Sequence, residues 1–185
     1  MRDLPGILTP LVETVAKVLE DAGRPVGLAH LVPGVLPAWD NCCEGAGQAY
    51  LRGIEVYPTA GSGQPLTPFP QRDTMQRGVG AGGGCSINLL ALHLGLGVIR
   101  CAHSVDDHGN LPTAAEMTSD AAGMLDDMGL LLEVITQVFT AHKALPKVIV
   151  GSWTPRGPEG GCVGGEWTLY AALDPCLGVI EEPSP

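Results

Sequence analysis

Two short apolar segments, each with a tryptophan, flank a glycine- and proline-rich stretch in the last third of the chain. They cover residues 148–153 and 166–171, and the stretch between them covers residues 154–165. Apolar and polar residues alternate in the second segment, which is the period-two pattern of a half-buried strand. We therefore predict a strand, a pliable loop and a second strand, which together form a hairpin-like extension over residues 148–173. Loops of this length are usually functional or disordered. We expect this one to bind a neighbouring molecule.

Two other regions have the spacing of amphipathic helices. Apolar residues recur every three or four positions over residues 8–22, and Gly23 supplies a stop. Thr113 and Glu116 have the spacing of a capping box, which opens a helix of about 40 Å. The second helix is predicted to bury one continuous stripe formed by Met117, Ala121, Met124, Met128, Leu131, Ile135 and Val138.

Strand patterns occupy the region between these two helices. Residues 48–58 contain β-branched and aromatic side chains. Residues 86–102 are predicted to form a second strand, in which leucine or valine occupies every other position from Leu90 to Val98. Residues 26–40 contain two prolines and are expected to form an extended loop. The predicted order is helix, strand, strand, helix, strand, strand, so we expect one α+β domain over residues 1–185, with a small mixed or antiparallel sheet and a long helix packed across it.

Glycine and proline make up 42 of the 185 residues and are concentrated in a few connections. The longest connection covers residues 59–84 and is predicted to be a flexible arm. It includes a G-x-G-x-x-G match at residues 78–83, but a strand follows the match where a nucleotide site needs a helix. We expect contacts with other molecules to come from the arm and the extension, with the candidate residues Arg72, Arg77, Trp153, Arg156, Glu159, Cys162 and Glu166.

The net charge of −10 disfavours sequence-specific binding to nucleic acid, because only ten lysine and arginine residues are present. An acidic wall would instead let DNA slide past without adhering. No apolar run is long enough to cross a bilayer, and the first residues do not have the pattern of a signal peptide. We therefore expect a protein that is made in the cytoplasm and has no membrane partner.

Chemical motifs are weak. His103, Asp106 and His108 lie close together in sequence, but Asp-rich turns of this kind commonly lead into helices. We predict no catalytic, cofactor-binding or metal site, and hence no enzymatic activity. A small enzyme or metal-binding protein that uses these residues together with Cys42 and Cys43 remains the alternative from a different class.

Six cysteines show no Cys-x-x-Cys spacing, and in a reducing compartment the default expectation is buried, inert thiols. The adjacent Cys42 and Cys43 are the exception worth separate consideration. They could meet Cys85, Cys101 or Cys162 in the fold and form either a disulfide or a metal site.

Five segments occur in a familiar order: residues 38–43, 50–58, 97–102, 153–155 and 165–170, which read AWDNCC, YLRGIEVYP, GVIRCA, WTP and GEWTLY. Over residues 8–176 the chain resembles the small head–tail connection proteins of long-tailed phages that infect actinobacteria. Within that class, α+β tail terminators form a hexameric ring on the last ring of the tail tube, and the predicted element order favours this type.

The resemblance implies a structural protein of the virion, located at the head–tail junction or neck. Its expected partners are further copies of itself in a hexameric ring, the tail tube protein, and a head–tail stopper or adaptor, with genomic DNA passing through the channel. The stopper, a mostly β ring protein, is the second expectation. A factor that binds a host component through the long arm is a third.

Overall fold

Among the residues that the structure describes, five strands form one sheet, and two helices lie against one of its faces. The computed structural model describes residues 4–32, 43, 46–58, 90–106, 108–145, 147–159 and 161–173. In chain order the elements are α1 (Leu4–Asp21), β1 (Leu28–Val32), β2 (Gln48–Pro58), β3 (Leu90–Cys101), α2 (Ala114–Val134), a π-helical turn (Ile135–Phe139), β4 (Lys147–Glu159) and β5 (Cys162–Leu173).

The spatial order of the strands is β1-β2-β3-β5-β4. β1 runs parallel to β2, and every other neighbouring pair is antiparallel. The fold is therefore α+β with a mixed sheet, as the sequence predicts. The predicted element order is incomplete, however, because β1 lies inside the 26–40 segment that was expected to be a loop. A five-residue strand is too short for its alternation to stand out in sequence.

The core lies between the sheet and the two helices. Alternate residues of β3, from Leu92 to Val98, point into it and are buried. They pack with Ala49 and Leu51 of β2 and with buried residues of both helices, among them Leu8, Leu11, Val12, Val15, Leu19, Leu131 and Val134. The leucine alternation predicted for β3 is confirmed, although the strand starts at Leu90 and not near residue 86.

α1 begins four residues before the predicted start and contains Pro10. The C-terminal end of α1 lies where the sequence predicts it, just before Gly23. Gly23 has a φ of +73°, and the backbone N–H of Arg24 donates to the carbonyl of Leu19 over 2.8 Å. This left-handed residue closes the helix and turns the chain towards β1.

α2 begins with the predicted capping box. The Thr113 hydroxyl accepts from the backbone N–H of Glu116, and the Glu116 carboxylate accepts from the backbone N–H of Thr113. The predicted buried stripe is wrong in the first half of the helix. Met117 is 54% exposed, whereas Asp127, which was expected off the stripe, is 1% exposed. Charge pairing with distant residues, described below, decides which face of α2 is turned inward.

β4 and β5 form a hairpin that differs from the predicted strand, loop and strand. The two strands extend through almost all of the expected twelve-residue loop, and they pair from Lys147 opposite Ala172 to Glu159 opposite Cys162. Pro155 interrupts the sequence pattern but is tolerated, because β4 lies at the edge of the sheet. The arm predicted at residues 59–84 lies outside the described residues.

Candidate interaction surface

A buried charge cluster ties the β4–β5 hairpin to β2. The Glu166 carboxylate of β5 accepts from the Arg52 guanidinium, with Nε 2.8 Å from Oε2, and from Arg156, with Nη2 2.7 Å from Oε1. Arg52 also donates through Nη2 to Oε1, and the Tyr50 hydroxyl lies 3.3 Å from Oε2. Glu166, Arg52 and Tyr50 are all buried. The cluster lies on the sheet face opposite the helices, since the adjacent Trp167 of β5 packs on the helical side.

Ionisation of this cluster follows from its contacts. Burial by itself raises the pKa of Glu166, but hydrogen bonds and charges from Arg52 and Arg156 outweigh burial and lower this pKa below its ordinary value. Burial also raises the pKa of Tyr50, and the neighbouring Glu166 charge adds to the rise. The cluster therefore holds one carboxylate and two guanidinium groups together with a neutral phenol, which makes it a structural clamp.

The cluster requires a glycine on β3. A Cβ atom at Gly97 would lie 2.4 Å from both Cζ and Oη of Tyr50 and 2.6 Å from the carbonyl oxygen of Gly165. Tyr50 and the Gly165 carbonyl therefore approach the backbone of β3 too closely for any side chain at position 97. The absence of a side chain on β3 leaves the space that the Tyr50 ring fills.

A second charge cluster lies on the helical side. The Asp127 carboxylate of α2 accepts from Arg24 Nε over 2.6 Å and from Arg100 Nε over 2.6 Å. Arg100 also donates to the carbonyls of Arg24, Pro25 and Ala46. The hydrogen bond with Asp127 raises the pKa of Arg24, and this effect is larger than the opposing effect of the partial burial of Arg24. One carboxylate thus joins α2 to the end of β3 and to the segment that follows α1.

An apolar groove opens beside the tip of the β4–β5 hairpin. It has a volume of about 590 Å³ and is walled by the first turns of α2, the connection from β3 to α2, and hairpin residues 155–158. Three of its large apolar side chains are strongly exposed: Val105 at 53%, Leu111 at 78% and Met117 at 54%. Exposed apolar side chains gathered in a concave site are typical of a surface that another protein covers.

Arg156 connects the groove with the buried clamp. Its side chain lines the groove and is 31% exposed, while its Nη2 atom reaches Glu166. Nη2 and the buried Nε of the guanidinium thus lie in the interior, while another part of the side chain reaches the surface. Any molecule that fills the groove would touch a residue whose position is fixed by the clamp.

The histidine and aspartate residues that the sequence offers as metal ligands are used locally. His103 Nδ1 lies 2.9 Å from Asp120 Oδ1. Asp106 accepts hydrogen bonds from the side-chain amide of Asn110 and from the backbone N–H groups of Asn110 and His108. These hydrogen bonds lower the pKa of Asp106, and the bond from the Asn110 side chain has the largest effect. Within the described ranges, no group of three or more His, Cys, Asp or Glu side chains is arranged to hold a metal ion.

The default expectation of inert thiols is wrong for the cysteines at one end of the sheet. Cys43 forms a disulfide with Cys101, which is one of the pairings that the sequence leaves open. Cys162 is also disulfide-bonded, and it lies directly opposite Cys101 on the β3–β5 ladder. The Cys43–Cys101 disulfide therefore cross-links the connection between β1 and β2 to the end of β3.

The residues predicted to make contacts fall into different environments. Arg156 is at the groove, and Trp153 packs at the edge of the core, with its ring centroid 5.8 Å from that of Trp167. Glu166 and Cys162 are buried within the fold, so they act on its internal structure. The backbone of Glu159 ends β4. Arg72 and Arg77 lie outside the described residues.

The sequence analysis identified Arg156 but missed the other arginines of the two clusters, Arg24, Arg52 and Arg100. Arg52 and Arg100 each interrupt an otherwise apolar strand pattern, and that interruption is the signal that could have identified them. A long cation inside a buried strand generally needs a carboxylate partner. Asp127 gives no comparable signal, because α2 has several acidic residues on its surface.

Comparison with protein-family models and with curated proteins gives no match for this chain. In the described part of the chain, neither helix combines the length and apolar character that crossing a bilayer would demand.

Proposed function

We propose that this chain is a structural virion protein of the phage head–tail junction, the tail terminator, and that it assembles into a ring of six subunits. The observation that carries the proposal is the apolar groove at the hairpin tip, with the exposed Leu111 and Met117 on one wall. The α+β fold and the sequence resemblance over residues 8–176 add support. In this role the protein works by geometry and not by catalysis.

A ring needs two different surfaces on each subunit, because a head-to-tail contact must repeat around the axis. The groove supplies one such surface. The two edge strands, β1 and β4, lie at opposite sides of the sheet and give each subunit two distinct flanks. Closing the ring turns weak pairwise contacts into a stable assembly, since each subunit is then held on both sides.

The first experiment is native mass spectrometry over a wide range of protein concentration. A species of about 115 kDa, six times the 19.2 kDa chain, supports the ring. Mixing with assembled tail tubes should promote the same species if closure waits for the tail end. A protein that stays monomeric under both conditions contradicts the proposal.

Point variants test the groove directly. Leu111→Asp and Met117→Asp place charges on its wall and should abolish ring formation and the joining of heads to tails. The matched control is Leu125→Asp, because Leu125 is also on α2 and is 55% exposed but does not line the groove. Equal assembly defects in the control and the groove variants would exclude the groove as the contact surface.

The stopper, a mostly β ring between adaptor and terminator, remains the second candidate. Binding to the isolated tail tube protein favours the terminator, whereas binding only to an adaptor ring favours the stopper. In either ring the net charge of −10 would allow DNA to pass without adhering. Reversing several carboxylates in the channel should then slow DNA ejection, and unchanged ejection would contradict this part of the proposal.

A further inference from the structure

Charge is divided between two consecutive parts of the chain. Residues 101–133, from the last residue of β3 through nearly all of α2, contain seven aspartate and glutamate residues and no lysine or arginine. Residues 134–158, from the last residue of α2 to the hairpin tip, contain Lys143, Lys147 and Arg156 and no aspartate or glutamate. The net charge of the whole chain is −10, so the second part stands out as basic.

The acidic part of the chain supplies charges to the rim of the apolar groove. Asp120 lines the groove, and Asp106 and Glu116 each lie next in sequence to a groove residue. Hydrogen bonds from nearby side-chain and backbone N–H groups lower the pKa of Asp106 and Glu116, so both carboxylates are charged at neutral pH. On the opposite wall, Arg156 directs Nη2 inward to Glu166. The groove therefore fits an occupant that combines apolar surface with positive charge.

The basic part of the chain forms a turn where β4 begins. We call residues 141–145 together with Lys147 the basic corner, in which Lys143 and Lys147 are exposed. Leu145 is fully buried, and its backbone N–H donates to the carbonyl of His142 over 2.9 Å. The buried side chain and the backbone hydrogen bond hold the turn in one shape, so little conformational entropy would be lost when the corner binds a partner.

One chain cannot place its own basic corner in its own groove. Lys147 is the first residue of β4, whereas the groove residues 155–158 lie near the end of the same strand. A strand rises about 3.3 Å per residue, so the corner and the hairpin wall of the groove are roughly 30 Å apart. A corner that fills a groove must therefore belong to a second copy of the chain.

We propose that the basic corner of one copy binds in the apolar groove of the next copy. Lysine stems lie against apolar surface while their ammonium groups stay in polar surroundings, so the two lysines of the corner can cover Leu111 and Met117 and still reach the carboxylates at the rim. A volume of about 590 Å³ is enough for several side chains. Because the groove and the corner are different surfaces, each copy can bind two others. This contact rests on the proposed ring and names the surface that fills the groove.

Carbodiimide cross-linking tests the contact, because this reagent joins an ammonium group to a carboxylate only where the two groups touch. After cross-linking of the assembled protein, peptide mass spectrometry should find Lys143 or Lys147 joined to Asp106, Glu116 or Asp120. Mixing isotopically labelled and unlabelled chains before assembly should show that each cross-link joins two copies. A ring that yields none of these cross-links overturns the proposal.

Charge reversal at the corner gives a second measurement. Lys143→Glu and Lys147→Glu, made separately, each place a negative charge against the acidic rim, so the protein concentration needed for assembly should rise at least about tenfold. The matched control is Lys17→Glu, which makes the same change in net charge at an exposed position of α1 outside the corner and the groove. All three variants should keep the circular dichroism spectrum of the wild type. Assembly of both corner variants at the wild-type concentration, or an equal loss in the control, overturns the proposal.

Failure of this contact and failure of the proposed ring give different results. A six-subunit species without the expected cross-links supports the ring but overturns the corner as its contact. The expected cross-links in an oligomer of another size support the contact but contradict the six-subunit ring. Cross-links from the groove to the tail tube protein, with none to a second copy, assign the groove to that partner and overturn the proposal. A wild type that stays monomeric with and without tail tubes contradicts both.

Discussion

Arg156 and Glu166 lie on neighbouring strands of the β4–β5 hairpin, and a 2.7 Å ion pair between them joins the groove wall to the interior of the fold. Because Glu166 also binds Arg52 of β2, the hairpin is tied to a strand that is not its neighbour in the sheet. The position of the groove therefore depends on a charge cluster at the centre of the sheet.

We expect Glu166→Gln to destabilise the protein by about 3–5 kcal/mol, because it leaves the buried Arg52 without its carboxylate. Unfolding in urea, followed by circular dichroism, measures the loss. Glu55→Gln on β2 is the matched control, since Glu55 is exposed, and its effect should stay within about 0.5 kcal/mol. A similar loss in both variants would mean that the ion cluster is not the cause.

The same cluster should make stability depend on pH. Because the folded protein holds the pKa of Glu166 below its ordinary value of 4.5, the stabilisation from this carboxylate is complete above that value and disappears as pH falls through the lowered pKa. The difference in unfolding free energy between the wild type and Glu166→Gln should therefore be constant near neutral pH and shrink below about pH 4.5. A difference that stays constant at low pH would contradict this assignment.

Asp127→Ala should lower the free energy of unfolding by about 3–5 kcal/mol, because Arg24 and Arg100 both lose their buried carboxylate partner. The adjacent Asp126 provides a close control. Its side chain is 68% exposed and lies 3.9 Å from Arg24, so Asp126→Ala should change stability by less than about 1 kcal/mol. Thermal unfolding of the two variants side by side checks the prediction. Equal shifts would exclude a special role for Asp127.

Gly97→Ala should destabilise the protein by at least about 1–3 kcal/mol, because the added methyl group overlaps the Tyr50 ring and a backbone carbonyl. Gly129→Ala on α2 should instead stabilise the protein. A Cβ atom there meets nothing within 4 Å, and alanine in a helix interior is favoured over glycine by about 0.5–1 kcal/mol. Urea unfolding of both variants would show whether their free energies of unfolding change in opposite directions. An unchanged free energy in Gly97→Ala would show that Tyr50 can move aside.

Local patterns predicted the elements whose signal lies within a few residues. The leucine alternation of β3 and the Thr113–Glu116 capping box are examples, since each depends on neighbours along the chain. The exposed Met117 and the buried Asp127 could not be predicted in this way. Arg24 and Arg100, which pair with Asp127, are 103 and 27 residues away in sequence, and helical periodicity contains no information about them.

The candidate site was predicted only in outline. Arg156 was identified from its place in the hairpin, and the structure puts it at the groove. Met117 was missed as a surface residue, because an apolar residue in an amphipathic pattern is normally assigned to the core. Leu111 precedes the predicted helix and belonged to no pattern that the sequence analysis used. The β4–β5 strands were underestimated, because proline and glycine suggest a loop, although an edge strand tolerates them.

Arg100 and Cys101 are adjacent at the end of β3, yet they attach it to opposite sides of the sheet. The first pairs with α2 through Asp127, and the second is bonded to Cys43 in the connection before β2. A pulling force applied at this end of β3 would therefore be shared between ionic links on one side and a covalent link on the other. Mechanical load would be spread over segments that are far apart in the chain, and the strand would not peel away from one edge.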